Sequence, residues 1–113
     1  MFLKKTFIIA LIAGACREPA PARTTTLEVA LLGERIFQEN CSSCHSFDSE
    51  PALSGPSLEN ARKSRDATFI RESIVEPGRR VVAGYPAMPD SFGHLNEKEL
   101  DAVVYFVANE VKQ

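Results

Sequence analysis

The sequence predicts a small all-α domain of three or four helices. Apolar residues recur at helical spacing in two long segments, one early in the domain and one at its C-terminal end. Each segment is preceded by a residue pair typical of a helix start, Thr25 with Glu28 and Asn96 with Glu99. No stretch alternates convincingly between polar and apolar residues, as a half-buried strand would. We therefore expect a helical domain over residues 27–113.

The first residues of the chain have the layout of an export signal. Lys4 and Lys5 precede a short apolar run, and small residues follow up to Cys16. The run is too short to span a membrane comfortably, since a span needs about 20 residues. The sequence Gly14-Ala15-Cys16 resembles the lipobox of bacterial lipoproteins, in which the cysteine is lipidated and becomes the new N-terminus. A plain signal peptide with an incidental cysteine is the alternative.

A tether is predicted between this signal and the domain. The stretch REPAPARTTT is rich in proline, alanine and threonine, which cannot build a core, so it predicts a semi-extended linker. We expect a lipoprotein-type signal peptide over residues 1–15, a lipidated Cys16 with a flexible tether over residues 16–26, and the folded domain from residue 27. Such a protein would be exported and anchored on the periplasmic or outer side of a bacterial inner membrane.

Three helices are predicted within the domain. The first runs roughly from Leu27 to Asn40, and a middle helix begins after the capping residue Asp66 and ends at Glu76-Pro77-Gly78. The last helix follows the second capping pair and carries one apolar stripe, made of Leu100, Val103, Val104, Val107 and Val111. The stretches SEPALSGPS and GRRVVAGYPAMPDSFGH are predicted to be irregular.

The predicted core is so small that it would make the domain only marginally stable on its own. A domain of this size buries only about 60–65% of its chain surface. The sequence contains no tryptophan, and a lipidated Cys16 would leave no cysteine for a disulfide outside one short motif. We therefore expect a further apolar body to fill the centre of the domain.

That short motif is Cys-x-x-Cys-His, formed by Cys41, Cys44 and His45. Three chemistries use such spacing: covalent haem attachment, zinc binding and thiol redox. Haem attachment needs two thiols that meet two vinyl groups and a histidine directly after them that reaches the iron. A haem would also supply the apolar body that the small core requires.

The two alternatives find less support in the rest of the chain. A structural zinc site needs four ligands, usually in two pairs, and only His94 is left to follow the first pair. We expect His94 to be a surface or loop residue. A thiol-disulfide motif usually starts a helix after a strand, whereas here it follows a helix. Neither alternative is excluded by the residues alone.

Met88 is the candidate for the second axial ligand of a haem iron. Iron of this type is often bound on its other face by methionine, which raises the reduction potential. Met88 is the only methionine beyond the initiator, and it lies between Pro86 and Pro89, which keep the segment from becoming helical. The alternative is a methionine that fills a gap in the core.

Composition and charge exclude several classes of protein. With 44% hydrophobic and 25% charged residues, the chain is neither disordered nor fibrous. The formal charge is −2, and the folded part is more acidic because two lysines lie in the signal, so we expect no nucleic-acid binding. A local basic cluster is predicted to be a solvated face, with a partner or propionate site as the alternative: Arg62, Lys63, Arg65, Arg71, Arg79 and Arg80.

These residues together resemble the class I cytochrome c family over the whole domain, from LLGERIFQENCSSCH to LDAVVYFVANE. The resemblance implies three to four helices around one covalently bound haem. It also implies that Gly33 and Phe37 cross the last helix at an aromatic residue, which we expect to be Tyr105. The Gly55-Pro56 pair matches a family motif whose proline carbonyl accepts a hydrogen bond from the haem-ligating histidine.

The second half of the domain looks most similar to the cytochrome c domain fused to subunit II of caa3-type oxidases. The copper-binding domain and membrane helices of that subunit do not occur in this sequence, so we expect a free-standing, lipid-tethered relative. Many such domains have one more residue between the tyrosine and the methionine than separates Tyr85 from Met88, which leaves the geometry of this loop open.

The resemblance implies one-electron transfer and no catalysis on a bound substrate. We expect a monomer that passes electrons between a quinol-oxidising complex and a terminal oxidase, with a transient docking surface around Ser43, Pro86 and Ala87. A fixed subunit of a respiratory complex is the main alternative, and a haem sensor or peroxidase is a further one. Four residues are candidates for contacts with the haem propionates: Arg71, Arg79, Arg80 and Tyr85.

Overall fold

A computed structural model describes residues 8–16, 24–48 and 53–110. The described residues form four helices and no strand: α1 (Thr26–Asn40), α2 (Glu59–Ser64), α3 (Ala67–Val75) and α4 (Glu97–Ala108). The all-α prediction is therefore confirmed. Parts of the predicted signal and tether, residues 1–7 and 17–23, lie outside the described residues, as do residues 49–52 of the loop and Val111 of the apolar stripe.

Both predicted capping boxes are present. The Thr25 side chain accepts a hydrogen bond from the Glu28 amide while the Glu28 carboxylate accepts one from the Thr25 amide. Asn96 and Glu99 make the same reciprocal pair at the start of α4. These pairs satisfy amides that have no partner inside a helix, so they fix where the two longest helices begin. The predicted cap at Asp66 also accepts a hydrogen bond, from the Phe69 amide.

Helix α2 was not predicted, and its sequence explains why. It has six residues, none of them buried, and its N-cap Leu58 offers no side-chain hydrogen bond. Such a segment has neither an apolar stripe nor a start signal, which are the features by which a helix is recognised in a sequence. It ends at Arg65, whose φ of 53° is left-handed and favours glycine.

The core lies where α1 crosses α4. Eight buried side chains form it: Ile36, Phe37, Ile70, Leu100, Val103, Val104, Val107 and Ala108. The helices approach most closely at Gly33, where an added Cβ would lie 2.1 Å from the carbonyl oxygen of Ala102. Only glycine permits this approach, so the expected role of Gly33 in the crossing is confirmed.

The aromatic residue at this crossing is Phe106, and the prediction of Tyr105 was wrong. A Cβ on Gly33 would lie 2.7 Å from Cβ of Phe106, and the Phe106 ring is 5.4 Å from that of Phe37. Successive residues of a helix point about 100° apart, so Tyr105 faces a different side of α4. There it lines a surface cleft of about 430 Å³ with Arg65 and Asn109.

The described part of the N-terminal segment, residues 8–16, has no regular secondary structure, and its apolar side chains are exposed. Among the residues that the structure describes, no helix is long and apolar enough to cross a membrane.

Candidate functional site

The Cys-x-x-Cys-His motif forms a tight turn at the end of α1. The Cys41 amide donates to the Phe37 carbonyl at 2.8 Å, which caps the helix. The amides of Cys44 and His45 both donate to the Cys41 carbonyl, at 3.1 and 2.9 Å. The backbone of the motif is therefore ordered by α1, and the two thiols and the imidazole project from a single turn.

His45 is oriented by the carbonyl of Pro56. Its Nδ1 lies 2.8 Å from that oxygen, and because a carbonyl can only accept, Nδ1 carries the proton and donates. Nε2 then holds the lone pair that can bind a metal. A carbonyl partner on the other ring nitrogen is the usual way in which a metal-ligating histidine is fixed and made more basic.

Gly55 allows the loop to come this close to the imidazole. A Cβ at this position would lie 2.6 Å from Cε1 of His45 and 2.9 Å from the carbonyl oxygen of Cys44. The Gly55 amide donates to that same carbonyl at 2.8 Å, and the Leu58 amide donates to the Ser46 carbonyl at 2.8 Å. Two backbone hydrogen bonds therefore hold the loop of residues 53–58 against the motif.

The two thiols of the motif have different surroundings. Cys41 packs against the buried core, and burial, with a smaller effect of Cys44, raises its thiol pKa to about 11. Hydrogen bonds from Ser54 and then Ser43 lower the pKa of the Cys44 thiol. Both thiols are free. Together with the lone pair on Nε2 of His45, they fit a porphyrin attached by two thioethers and ligated by one imidazole.

Met88 lies in the predicted irregular stretch and is less exposed than its neighbours. Met88 is half-buried, whereas Pro86, Ala87 and Pro89 beside it are exposed. Residues 86–89 have no regular secondary structure, as the two prolines predict. The thioether is therefore carried on a non-helical loop by a partly buried residue, and its role as an axial ligand stays a prediction.

The three arginines expected at the haem propionates all contact carboxylates of the protein. Arg71 bridges from α3 to Glu97 and to Asp101 of α4. Arg79 pairs with Glu76 at 3.3 Å, and Arg80 lies 3.5 Å from Glu72. Tyr85 is half-buried, close in sequence to Met88. The propionate contacts stay predictions, and each arginine would have to share or exchange its carboxylate partner to make them.

The remaining candidates, Cys16 and His94, are both exposed. Cys16 is exposed, in the N-terminal segment. His94 is exposed, and its Nδ1 is 2.9 Å from the Ser91 carbonyl, which agrees with the expected loop residue. Within residues 8–16, 24–48 and 53–110, no three His, Cys, Asp or Glu side chains are grouped so that they could hold a metal ion.

Arg62 is a member of the basic cluster that was expected to be a solvated face. Its guanidinium is instead half-buried and lies 3.4 Å from the centre of the Phe47 ring. Phe47 follows His45 by two positions. Sequence analysis missed this contact because it depends on the unpredicted helix α2, and no local pattern pairs an arginine with an aromatic ring 15 residues earlier.

Comparison with known proteins agrees with this geometry. The family model described as cytochrome c matches residues 30–110. The chain is also similar to cytochrome c6 of Gracilaria tenuistipitata var. liui, with 30% identity over 78 residues that make up 69% of each chain. The chain therefore belongs to the cytochrome c family: it has the all-α class I fold and is an electron carrier with covalent haem c, for which Cys41, Cys44 and His45 form the fitting attachment motif.

Proposed function

We propose that this protein is a lipid-tethered, mono-haem electron carrier of a respiratory chain, passing electrons from a quinol-oxidising complex towards a terminal oxidase. In this proposal Cys41 and Cys44 attach the porphyrin, and His45 and Met88 ligate the iron. Cys16 carries the lipid, which holds a monomeric domain at the periplasmic or outer side of a bacterial inner membrane.

The observation that carries the proposal is the 2.8 Å contact between Nδ1 of His45 and the Pro56 carbonyl. It fixes the tautomer that leaves Nε2 for the iron, and it comes from a loop that is itself bonded to the motif. An imidazole held in this way needs little rearrangement when the iron that it binds changes from ferric to ferrous. Such preorganisation suits an electron carrier, whose ligands should stay in place in both states.

When bound, the haem supplies one-electron chemistry, and the chain sets the potential at which it occurs. Sulfur ligation by Met88 favours the reduced state, as does an apolar shell, because ferric haem carries one more positive charge. If His45 and Met88 both ligated the iron, a substrate would have no open site on it. This arrangement argues against peroxidase and ready ligand-sensor functions.

Optical spectroscopy of the protein matured with a haem-attachment system tests the ligand set. We expect a c-type pyridine haemochrome and, in the oxidised protein, the weak long-wavelength band of sulfur-to-iron charge transfer. The Met88→Ala variant should keep the haemochrome and lose the band. Absence of the band in the wild-type protein would indicate that Met88 is a packing residue, and a sensor or peroxidase function would again have to be considered.

Membrane tethering is tested separately, by mass spectrometry of the protein from its native membrane. We expect a mature N-terminus at Cys16 with attached acyl chains, which bind a bilayer durably because each buried methylene contributes about 0.8 kcal/mol. Cys16→Ser should release the domain into the soluble fraction with its haem spectrum unchanged. A mature protein without lipid would overturn the tether and leave the electron carrier standing.

Pulldown from detergent-solubilised membranes addresses the partners. A shuttle should be recovered mostly alone, because electron-transfer contacts are small, typically below about 1,200 Å². Stoichiometric recovery with an oxidase or a quinol-oxidising complex would instead identify a fixed subunit.

A further inference from the structure

Arg62 connects three parts of the domain that are far apart in sequence. It belongs to α2, and its guanidinium lies 3.4 Å from the centre of the Phe47 ring and 5.3 Å from that of Phe106. The same group donates to the backbone carbonyls of Phe106 and Val107, at 2.8 and 3.3 Å. One side chain therefore joins α2, the segment that follows the haem motif, and the last turn of α4.

These contacts supply what the end of α4 lacks. The last carbonyls of a helix have no partner within it, and a cation there is favourable because of the helix dipole. The last turn of α4 contains no basic residue. Arg62 satisfies two of the terminal carbonyls from a neighbouring helix, and Arg65 adds a 2.7 Å hydrogen bond to the side chain of Asn109, the C-cap.

The contact with Phe47 brings the guanidinium to the segment that directly follows the haem motif. Phe47 follows His45 by two residues, so their Cα atoms can be at most about 7 Å apart. The Phe47 ring also packs 5.0 Å from Phe37 and 5.8 Å from Phe106, centre to centre. The guanidinium thus lies over two rings of an aromatic cluster, Phe47 and Phe106, whose third member, Phe37, precedes the motif.

Partial burial of the charged Arg62 side chain is energetically unfavourable, which argues that the residue has a function. Desolvation by burial lowers the pKa of the Arg62 guanidinium, with Glu110 acting in the opposite direction. The neighbouring Lys63 is exposed and paired with Glu59 on the same helix, so a charge on α2 need not be buried. No residue of α2 is fully buried, and its apolar packing against the core is limited to the small side chain of Ala61.

We propose that Arg62 is a positioning residue, which clamps the haem-attachment segment to the end of α4 and places a permanent positive charge beside it that favours the reduced state. The charge does so because the ferric haem carries one more positive charge than the ferrous haem, so a nearby cation disfavours oxidation. This proposal depends on the cofactor of the family and not on the tether or the partners.

The test compares three variants of the full-length haem-loaded protein: Arg62→Gln, Arg62→Lys and Lys63→Gln. Arg62→Gln and Lys63→Gln remove the same charge from the same helix, but only the first removes the contacts with Phe47 and α4. Two readouts are measured, the midpoint potential by spectroelectrochemical titration and hydrogen–deuterium exchange of the last α4 turn. Neither requires a redox partner.

We expect Arg62→Gln to have a more negative midpoint potential than both wild type and Lys63→Gln, with at least tenfold faster exchange in the last turn of α4. Arg62→Lys should keep a potential near that of the wild type because it keeps the charge. It should still exchange faster, because an ammonium group lacks the planar fork that spans two carbonyls and stacks on a ring.

Two results would overturn the proposal. Equal potentials in Arg62→Gln and Lys63→Gln would show that the position of Arg62 near the motif is irrelevant. Wild-type exchange in Arg62→Lys would show that the fork does not hold the end of α4. If Arg62→Gln fails to mature, Arg62→Lys still decides the clamp through hydrogen–deuterium exchange, and a fourth variant, Arg62→Met, tests the potential because it removes the charge and keeps most of the packing.

Discussion

Replacing Gly55 with alanine should raise the reduction potential of the haem. The new Cβ would lie 2.6 Å from Cε1 of His45, about 0.4 Å inside the 3.0 Å limit that real Cβ contacts respect. It would also lie 2.9 Å from the Cys44 carbonyl oxygen. Either the imidazole or the loop has to move, and both movements lengthen the 2.8 Å hydrogen bond from Nδ1 to Pro56.

The size of the shift is bounded by the strength of that hydrogen bond. A neutral hydrogen bond contributes about 1 kcal/mol net, and 59 mV corresponds to a tenfold change for one electron, or roughly 1.4 kcal/mol. Complete loss of the bond could therefore move the potential by at most roughly 40 mV. The direction is positive, because donation from Nδ1 makes the imidazole more basic and so stabilises the ferric state.

The measurement is a spectroelectrochemical titration of wild type, Gly55→Ala and a control, Gly78→Ala. An added Cβ at Gly78 meets nothing within 4 Å and the backbone there is not left-handed, so the control changes a glycine without a steric conflict. A Gly55→Ala potential equal to that of the control, or shifted in the negative direction, would refute the reasoning.

Three other perturbations have defined outcomes. Gly33→Ala should lower stability by about 2 kcal/mol, because overpacking against the Ala102 carbonyl outweighs the better helix propensity of alanine; this corresponds to a fall of roughly 8–16 °C in melting temperature. Met88→Ala should lower the midpoint potential in the same titration, because the sulfur ligand is lost. Hydrogen bonds from Thr25 lower the pKa of Glu28, so its stabilising effect is complete above about pH 4.5 and is lost as the pH falls further; melting curves of wild type and Glu28→Gln should converge in acid.

Each of these outcomes can fail. An unchanged melting temperature in Gly33→Ala would mean that the two helices separate without cost, and an unchanged potential in Met88→Ala would remove that residue from the iron. The argument about Glu28 would be contradicted if Glu28→Gln remained less stable than the wild type at pH values below the pKa of Glu28.

The helices with start signals could be predicted from the sequence, and those held only by tertiary contacts could not. The capping pairs Thr25 with Glu28 and Asn96 with Glu99 are local, so a short window of sequence contains all the atoms that matter. Helix α2 has no capping pair or other local signal in its sequence. It is held by arginine contacts to carbonyls more than 40 residues away, and such distances leave no mark on local spacing.

The same division applies to the site. The thiols and the histidine are recognisable because their chemistry demands a fixed local spacing, and the contact of His45 with Pro56 was expected only from the family resemblance. The choice of Tyr105 over Phe106 failed because both are aromatic and adjacent, and only the rotation of α4 against Gly33 distinguishes them. Arg71 was expected at a propionate from its charge and its nearness to the Met88 loop, which stays a prediction; its ion pair with Asp101 of α4 has a partner 30 residues away and left no local signal.

Helix α1 also acts as a rigid spacer. It begins at a capped end next to the predicted tether and runs without interruption for 15 residues to the first thiol of the motif, a length of about 22 Å. The point of haem attachment is therefore held at a fixed distance from the capped start of the helix. If the chain is held at a surface upstream of Thr25, the haem could reach partners as far away as the tether extends plus the length of this helix.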